Sequence, residues 1–301
     1  MLAEVLVDIE TGKVRGFIDK VYGKEIATFL GIPYAKPPIA EKRFMKPEKA
    51  DNFTDGVFNA TKLPNSWTLQ NLLVKLYPML GDELIPDSLV SSWRKSDFKR
   101  NSSLLIGTVI NESPAPIIPY DPRNSLRILL HYFRANKLHV DVEKVINFYF
   151  ANINIFDIKN STIAHNNAFS DFAFNCPTTV FSSLYYRYNT VYRYLFAHKT
   201  VSSSPPCQTM GPCHADDDRF AFGTVLNATD FEASKQWMAV FSGFAKNGST
   251  PWQNYYTSAN GSLIAPYLVF TGNLTYDKVE YNYRNRECEF LNRMMFPGIN
   301  S

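Results

Sequence analysis

The sequence lacks a dominant charge: 31 basic and 28 acidic side chains leave a formal net charge of +3 over 301 residues. That balance predicts no broad basic face for nucleic acid or an anionic membrane. Long apolar runs are missing too, since no uncharged stretch reaches the roughly 18–20 residues that a spanning helix needs. Glu4 and Asp8 stand where a signal peptide would carry its apolar region, so the N-terminus taken alone predicts no export signal. There is no internal repeat and no long low-complexity tract. The one biased stretch, Ser202-Ser203-Ser204-Pro205-Pro206, reads as a surface loop.

What is present is a large supply of core residues, 45% hydrophobic and 15% aromatic, which predicts a globular chain with a sizeable interior. Two further features bear on compartment. Asn-x-Ser/Thr sequons occur at Asn52, Asn59, Asn101, Asn111, Asn160, Asn227, Asn247, Asn260 and Asn273, and four cysteines suffice for two disulfides. Both predict an extracellular or cell-surface protein, against the reading of the N-terminus.

Val5–Ile9 and Lys13–Ile18, joined across Thr11-Gly12, read as an antiparallel hairpin leading to a third strand at Ile26–Gly31. Leu104–Ile110 and Val191–Phe196 are apolar and β-rich, as buried central strands are. Apolar residues at three-to-four spacing predict helices over Ser125–Ala135, Val142–Phe150, Phe231–Ala245 and Arg284–Met295. Strands alternating with helices predict the α/β class, with a mostly parallel central sheet flanked by helices behind an N-terminal antiparallel hairpin.

Several segments carry a family resemblance. Phe29-Leu30-Gly31-Ile32-Pro33-Tyr34-Ala35-Lys36-Pro37-Pro38, then Arg43-Phe44 and Pro47, resemble the N-terminal signature of the type-B carboxylesterase and cholinesterase family. Tyr77-Pro78 with Gly81 to Asp87 resembles the family's segment before its catalytic acid, and Leu105-Ile106-Gly107 to Asn111-Glu112 the strand and loop bearing that acid. Phe174-Asn175-Cys176-Pro177, His214-Ala215-Asp216-Asp217, Phe244 to Gly248 and Cys288 to Asn292 are similar to the family's closing third. The resemblance implies an α/β-hydrolase fold, small ester substrates, no cofactor, Glu112 as the acid and His214 as the base of a Ser, Glu, His triad. It also implies a disulfide between Cys176 and Cys288, which leaves Cys207 and Cys213 to pair across a short loop containing Pro212.

The resemblance breaks in the middle. Among the 14 glycines only Gly12 and Gly16 lie four apart and they enclose Val14, so the Gly-x-Ser-x-Gly elbow is absent; none of the five histidines is followed by glycine, so the His-Gly-Gly oxyanion loop is absent as well. The junction falls near Trp67, which stands where the family usually has cysteine, and Thr68. One incomplete α/β-hydrolase domain over residues 1–301 is therefore expected, an N-terminal sheet portion (1–67) joined to a C-terminal portion (68–301) across a missing block. Acyl transfer needs an activated hydroxyl and oxyanion donors, so esterase activity is expected to be absent, with a neuroligin-type adhesion or ligand-binding role as the alternative. Lost strands would leave exposed edges, which predicts a protein partner or homo-oligomer. Read without the family, Glu112 is an ordinary loop glutamate and His214 a structural histidine. Cys207, Cys213, His214 and Asp216 match no standard zinc spacing, and no metal is expected. Ser113 and Ala215 stand where the family commonly has glycine after its acid and its histidine.

Overall fold

The computed structural model describes residues 3–62 except 22, 38, 39, 43, 44 and 55, residues 89–113, and residues 140–298 except 155 and 276. The expected junction at Trp67 and Thr68, the segment Tyr77 to Asp87, the helix at Ser125–Ala135 and the signature residues Pro38, Arg43 and Phe44 lie outside these residues. The chain divides into two compact units, Met1–Pro78 and Met79–Ser301.

The first unit is a small sheet. Strands β1 (Glu4–Ile9), β2 (Gly12–Val21) and β3 (Lys24–Thr28) run antiparallel in chain order, and β4 (Val57–Asn59) pairs parallel with β2. The turn at Thr11-Gly12 is the expected one, with Gly12 at a φ of +131° that glycine alone adopts readily. Gly16 has a packing reason: a Cβ there would lie 2.3 Å from the Thr28 carbonyl oxygen and 2.6 Å from the Phe29 ring. The third strand covers Lys24–Thr28, the residues that pair with Phe17–Val21, rather than Ile26–Gly31. Tyr34 of the signature is 93% exposed, and Leu6, Val7, Ile26 and Met45 are exposed as well.

Among its described residues the second unit begins with α1 (Leu89–Lys95) and is built on a four-stranded sheet. Its strands are β5 (Ser103–Val109), β6 (Thr190–Phe196), β9 (Pro266–Phe270) and β10 (Lys278–Tyr281); the two-residue strands β7 (Tyr256–Thr257) and β8 (Leu263–Ile264) pair apart from it. The order is β10-β9-β6-β5, with β5, β6 and β9 parallel and β10 antiparallel at one edge. Strand β6 is central, as its sequence predicts. The other expected central strand, β5, pairs among the described residues with β6 alone.

Helices α2 (Val142–Phe150), α3 (Ile158–Ser170) and α4 (Cys176–Tyr186) follow β5, with one π-helical turn, Asp171–Asn175, between the last two. After β6 come α5 (Pro205–Met210), α6 (Asp216–Ala221) and α7 (Phe231–Asn247), and α8 (Asn285–Met295) follows β10. Against the sheet, Trp237 of α7 stacks on Phe270 with centroids 4.3 Å apart and meets Tyr194 edge-on at 4.9 Å, in a buried aromatic core. Gly107 admits that packing, since a Cβ there would lie 2.3 Å from the Tyr194 ring. A second core joins Val145, Phe169, Phe172 and Leu291 around the Cys176–Cys288 disulfide.

The reading of Ser202–Pro206 as a surface loop needs correction. Pro205 and Pro206 open α5, where the missing N–H groups cost nothing, and Ser203 is buried with its hydroxyl donated to Asp216. Helix α3 goes undetected in the sequence because its buried face mixes Ser161, His165, Asn166 and Ser170 with Ala164, Ala168 and Phe169, which gives no continuous apolar stripe.

Candidate active site

Strand β5 ends at Val109, and the chain beyond it does not simply turn away. Asn111 forms a parallel bridge with Cys213, donating its backbone N–H to Pro212 O at 3.1 Å and its side-chain amide to Met210 O at 2.8 Å. This register brings Glu112 and His214, each the next residue, to the carboxyl end of the sheet, where open α/β sheets build their sites.

Glu112 is buried. One carboxylate oxygen accepts the Val109 N–H at 2.9 Å, and its own backbone N–H donates to Ser170 Oγ at 3.0 Å. The other oxygen accepts from Nδ1 of His214 at 2.6 Å. A carboxylate offers no proton here, so Nδ1 carries the hydrogen and Nε2 is left as the basic nitrogen. The His214 side chain is 51% exposed, with the ring of Phe174, a residue of the π-helical turn, 5.0 Å from it. Its pKa is raised: the hydrogen bond to Glu112 is the main cause, burial opposes it, and the charges of Glu112, Asp217 and Asp218 add to it.

Asp217, at the start of α6, has its carboxyl pushed up to about 6, first by burial and then by the charges of Asp218 and Glu112. Tyr194 donates to it at 3.4 Å, and burial followed by the Asp217 charge raises that phenol's pKa. Ser170, Phe174 and Asn111 escape a reading of the sequence as parts of the site. Only the run Asp216-Asp217-Asp218 carries a signal, as acidic residues in a first helical turn.

The remaining candidate residues are distributed as follows. Cys176 bonds Cys288, and Cys207 bonds Cys213, so no free thiol remains. With both sulfurs in a disulfide, Cys207, Cys213 and Asp216 offer no thiolate to a metal, and Asp216 instead accepts the Cys213 N–H at 2.8 Å. Ser113 is buried beside Glu112. Ala215 holds a φ of +68°, a left-handed conformation that suits glycine. Of the sequons, Asn52, Asn59, Asn101, Asn160, Asn247, Asn260 and Asn273 are exposed and Asn227 is partly so, whereas Asn111 is 7% exposed with its amide engaged.

A comparison with known proteins matches the carboxylesterase family model to residues 3–78 and 67–291. Acetylcholinesterase of Leptinotarsa decemlineata is 47% identical over 62 residues, 21% of this chain and 10% of that protein. Cholinesterase of Mus musculus is 41% identical over 63 residues, 21% of this chain and 10% of that protein. Cocaine esterase of Oryctolagus cuniculus is 39% identical over 92 residues, 30% and 17% respectively. The aligned portions thus span only about a tenth to a sixth of these relatives. With the family model matched over most of its length, the chain belongs to the type-B carboxylesterase, or cholinesterase-like, family.

Proposed function

We propose that this chain is a carboxylic-ester hydrolase family member in which Glu112 is the acid and His214 the base of a Ser, Glu, His triad whose serine it lacks, so that it does not turn over esters itself. The observation that carries the reading is the 2.6 Å contact from His214 Nδ1 to the buried Glu112 carboxylate, with Nε2 left free of that bond to act as base. An imidazole oriented in this way activates a hydroxyl. Without the serine elbow and oxyanion donors, the two costliest parts of the chemistry are missing.

In this reading the chain is one incomplete α/β-hydrolase domain, residues 1–67 continuing into 68–301 across a lost block. Two separate family matches, 3–78 and 67–291, support a discontinuity in that region. Two disulfides and eight accessible sequons support secretion or display at the cell surface. No helix among the described residues is long and apolar enough to cross a membrane. A small ester is the substrate class of the uninterrupted protein, and exposed apolar residues such as Phe222 and Leu226 support a partner or second copy.

Transcript sequencing across the codons for Trp67 and Thr68 tests the reading. Recovery of a form with an inserted block encoding Gly-x-Ser-x-Gly is the expected result. An uninterrupted gene with no such block would favour the neuroligin-type, non-catalytic alternative.

A further inference from the structure

His214 sits on a segment with little regular structure, between Gly211 at a φ of +104° and Ala215 at +68°. Half its side chain is exposed, so packing alone does not fix its direction. Yet the residue before it is held from three sides. The Cys213 side chain is bonded to Cys207 of α5, both being about 95% buried. Its backbone N–H is accepted by Asp216, whose same oxygen accepts Ser203 Oγ at 2.7 Å. Its strand-like register is set by Asn111, the residue before Glu112.

We propose that the Cys207–Cys213 disulfide is a positioning element for His214: with Asp216 and Asn111 it fixes Cys213, and so delivers the imidazole to Glu112. The inference rests on the reading of Glu112 and His214 as a working pair. The physical reason lies in Ala215. A left-handed alanine relaxes toward ordinary helical angles when its neighbours are released, and that rotation would swing His214 away from the carboxylate. The disulfide closes a loop of sequence separation 6, next to the one residue whose direction matters.

The test uses the full chain with isotopically labelled histidine and reads the titration of the His214 ring. Cys207→Ser/Cys213→Ser removes the bond without changing a charge, so Glu112, Asp217 and Asp218, the acids acting on this imidazole, stay as they are. The expected result is a downward move of the His214 midpoint and carbethoxylation at pH 6 faster by roughly twofold or more. Ser203→Ala, which leaves the disulfide intact and frees one side of Asp216, moves the midpoint the same way to a smaller extent and serves if the double variant does not fold. Cys176→Ser/Cys288→Ser, a loss of the disulfide that does not hold Cys213, leaves the midpoint in place. Glu112→Gln separates the two claims. If it lowers the midpoint while the Cys207/Cys213 and Ser203 variants do not, the clamp is wrong and the pair stands; if Glu112→Gln changes nothing, the pair itself is wrong.

Discussion

His214 and Glu112 are 102 residues apart in sequence and 2.6 Å apart in the fold, Nδ1 to carboxylate oxygen. The hydrogen bond favours the imidazolium, so the pair is also a statement about pH. A raised histidine pKa contributes stability that is complete below the ordinary histidine value and is lost as pH rises through the folded value. Glu112→Gln should flatten that part of the stability profile, measured as Tm across the neutral range.

Asp217 acts in a lower window. Its carboxyl, pushed up to about 6, binds a proton in the folded state that the unfolded chain has already released. Stability is therefore greatest below the ordinary carboxylate value of about 4 and declines as pH rises through about 6. Asp217→Asn should raise Tm at pH 8 and leave it nearly unchanged at pH 4, because the neutral amide carries no burial penalty for charge.

Ala215 occupies a left-handed conformation that costs a residue with a Cβ about 1 kcal/mol. Ala215→Gly should recover part of that amount in denaturant unfolding, without moving the Glu112–His214 contact. Glycine's greater unfolded entropy limits the gain.

Several of the local elements are legible in the sequence: the hairpin around Thr11-Gly12, β5, β6, α2, α7 and α8 lie within a few residues of where periodicity puts them. Strands β9 and β10 are less visible, since Pro266 opens one and exposed Lys278 and Glu280 dilute the other. The site is legible only through family resemblance. Nothing local tells Glu112 from a solvated loop glutamate, because its burial depends on Ser170, Val109 and His214, and the last of these arrives through a bridge between Asn111 and Cys213 that no periodicity encodes.

Arg284 illustrates the same limit. It donates to the fully buried Asp171 through Nε and Nη2, and Tyr149 and Asn175 complete that carboxylate's hydrogen bonds at 2.8 and 2.9 Å. Arg284→Leu strands the charge, and unfolding titration should show a loss of about 3–5 kcal/mol. Replacing Asp171 as well should restore part of it.

Asn111 is a sequon by sequence and a bridge residue by structure. If the chain is expressed through a secretory pathway, glycopeptide mapping should find Asn111 unmodified, since its amide is buried and donated to Met210 O. Exposed sequons such as Asn247 and Asn260 are positions at which glycan should be found.

The central claim is that the acid and base are in place and the nucleophile is not. Exposure of the purified chain to a fluorophosphonate probe, followed by mass spectrometry, tests it most directly. The account predicts no stoichiometric serine adduct and no hydrolysis of a simple activated ester above background, because both require a hydroxyl activated by His214. Stoichiometric phosphonylation of one serine, such as Ser113, that disappears in His214→Ala would contradict it.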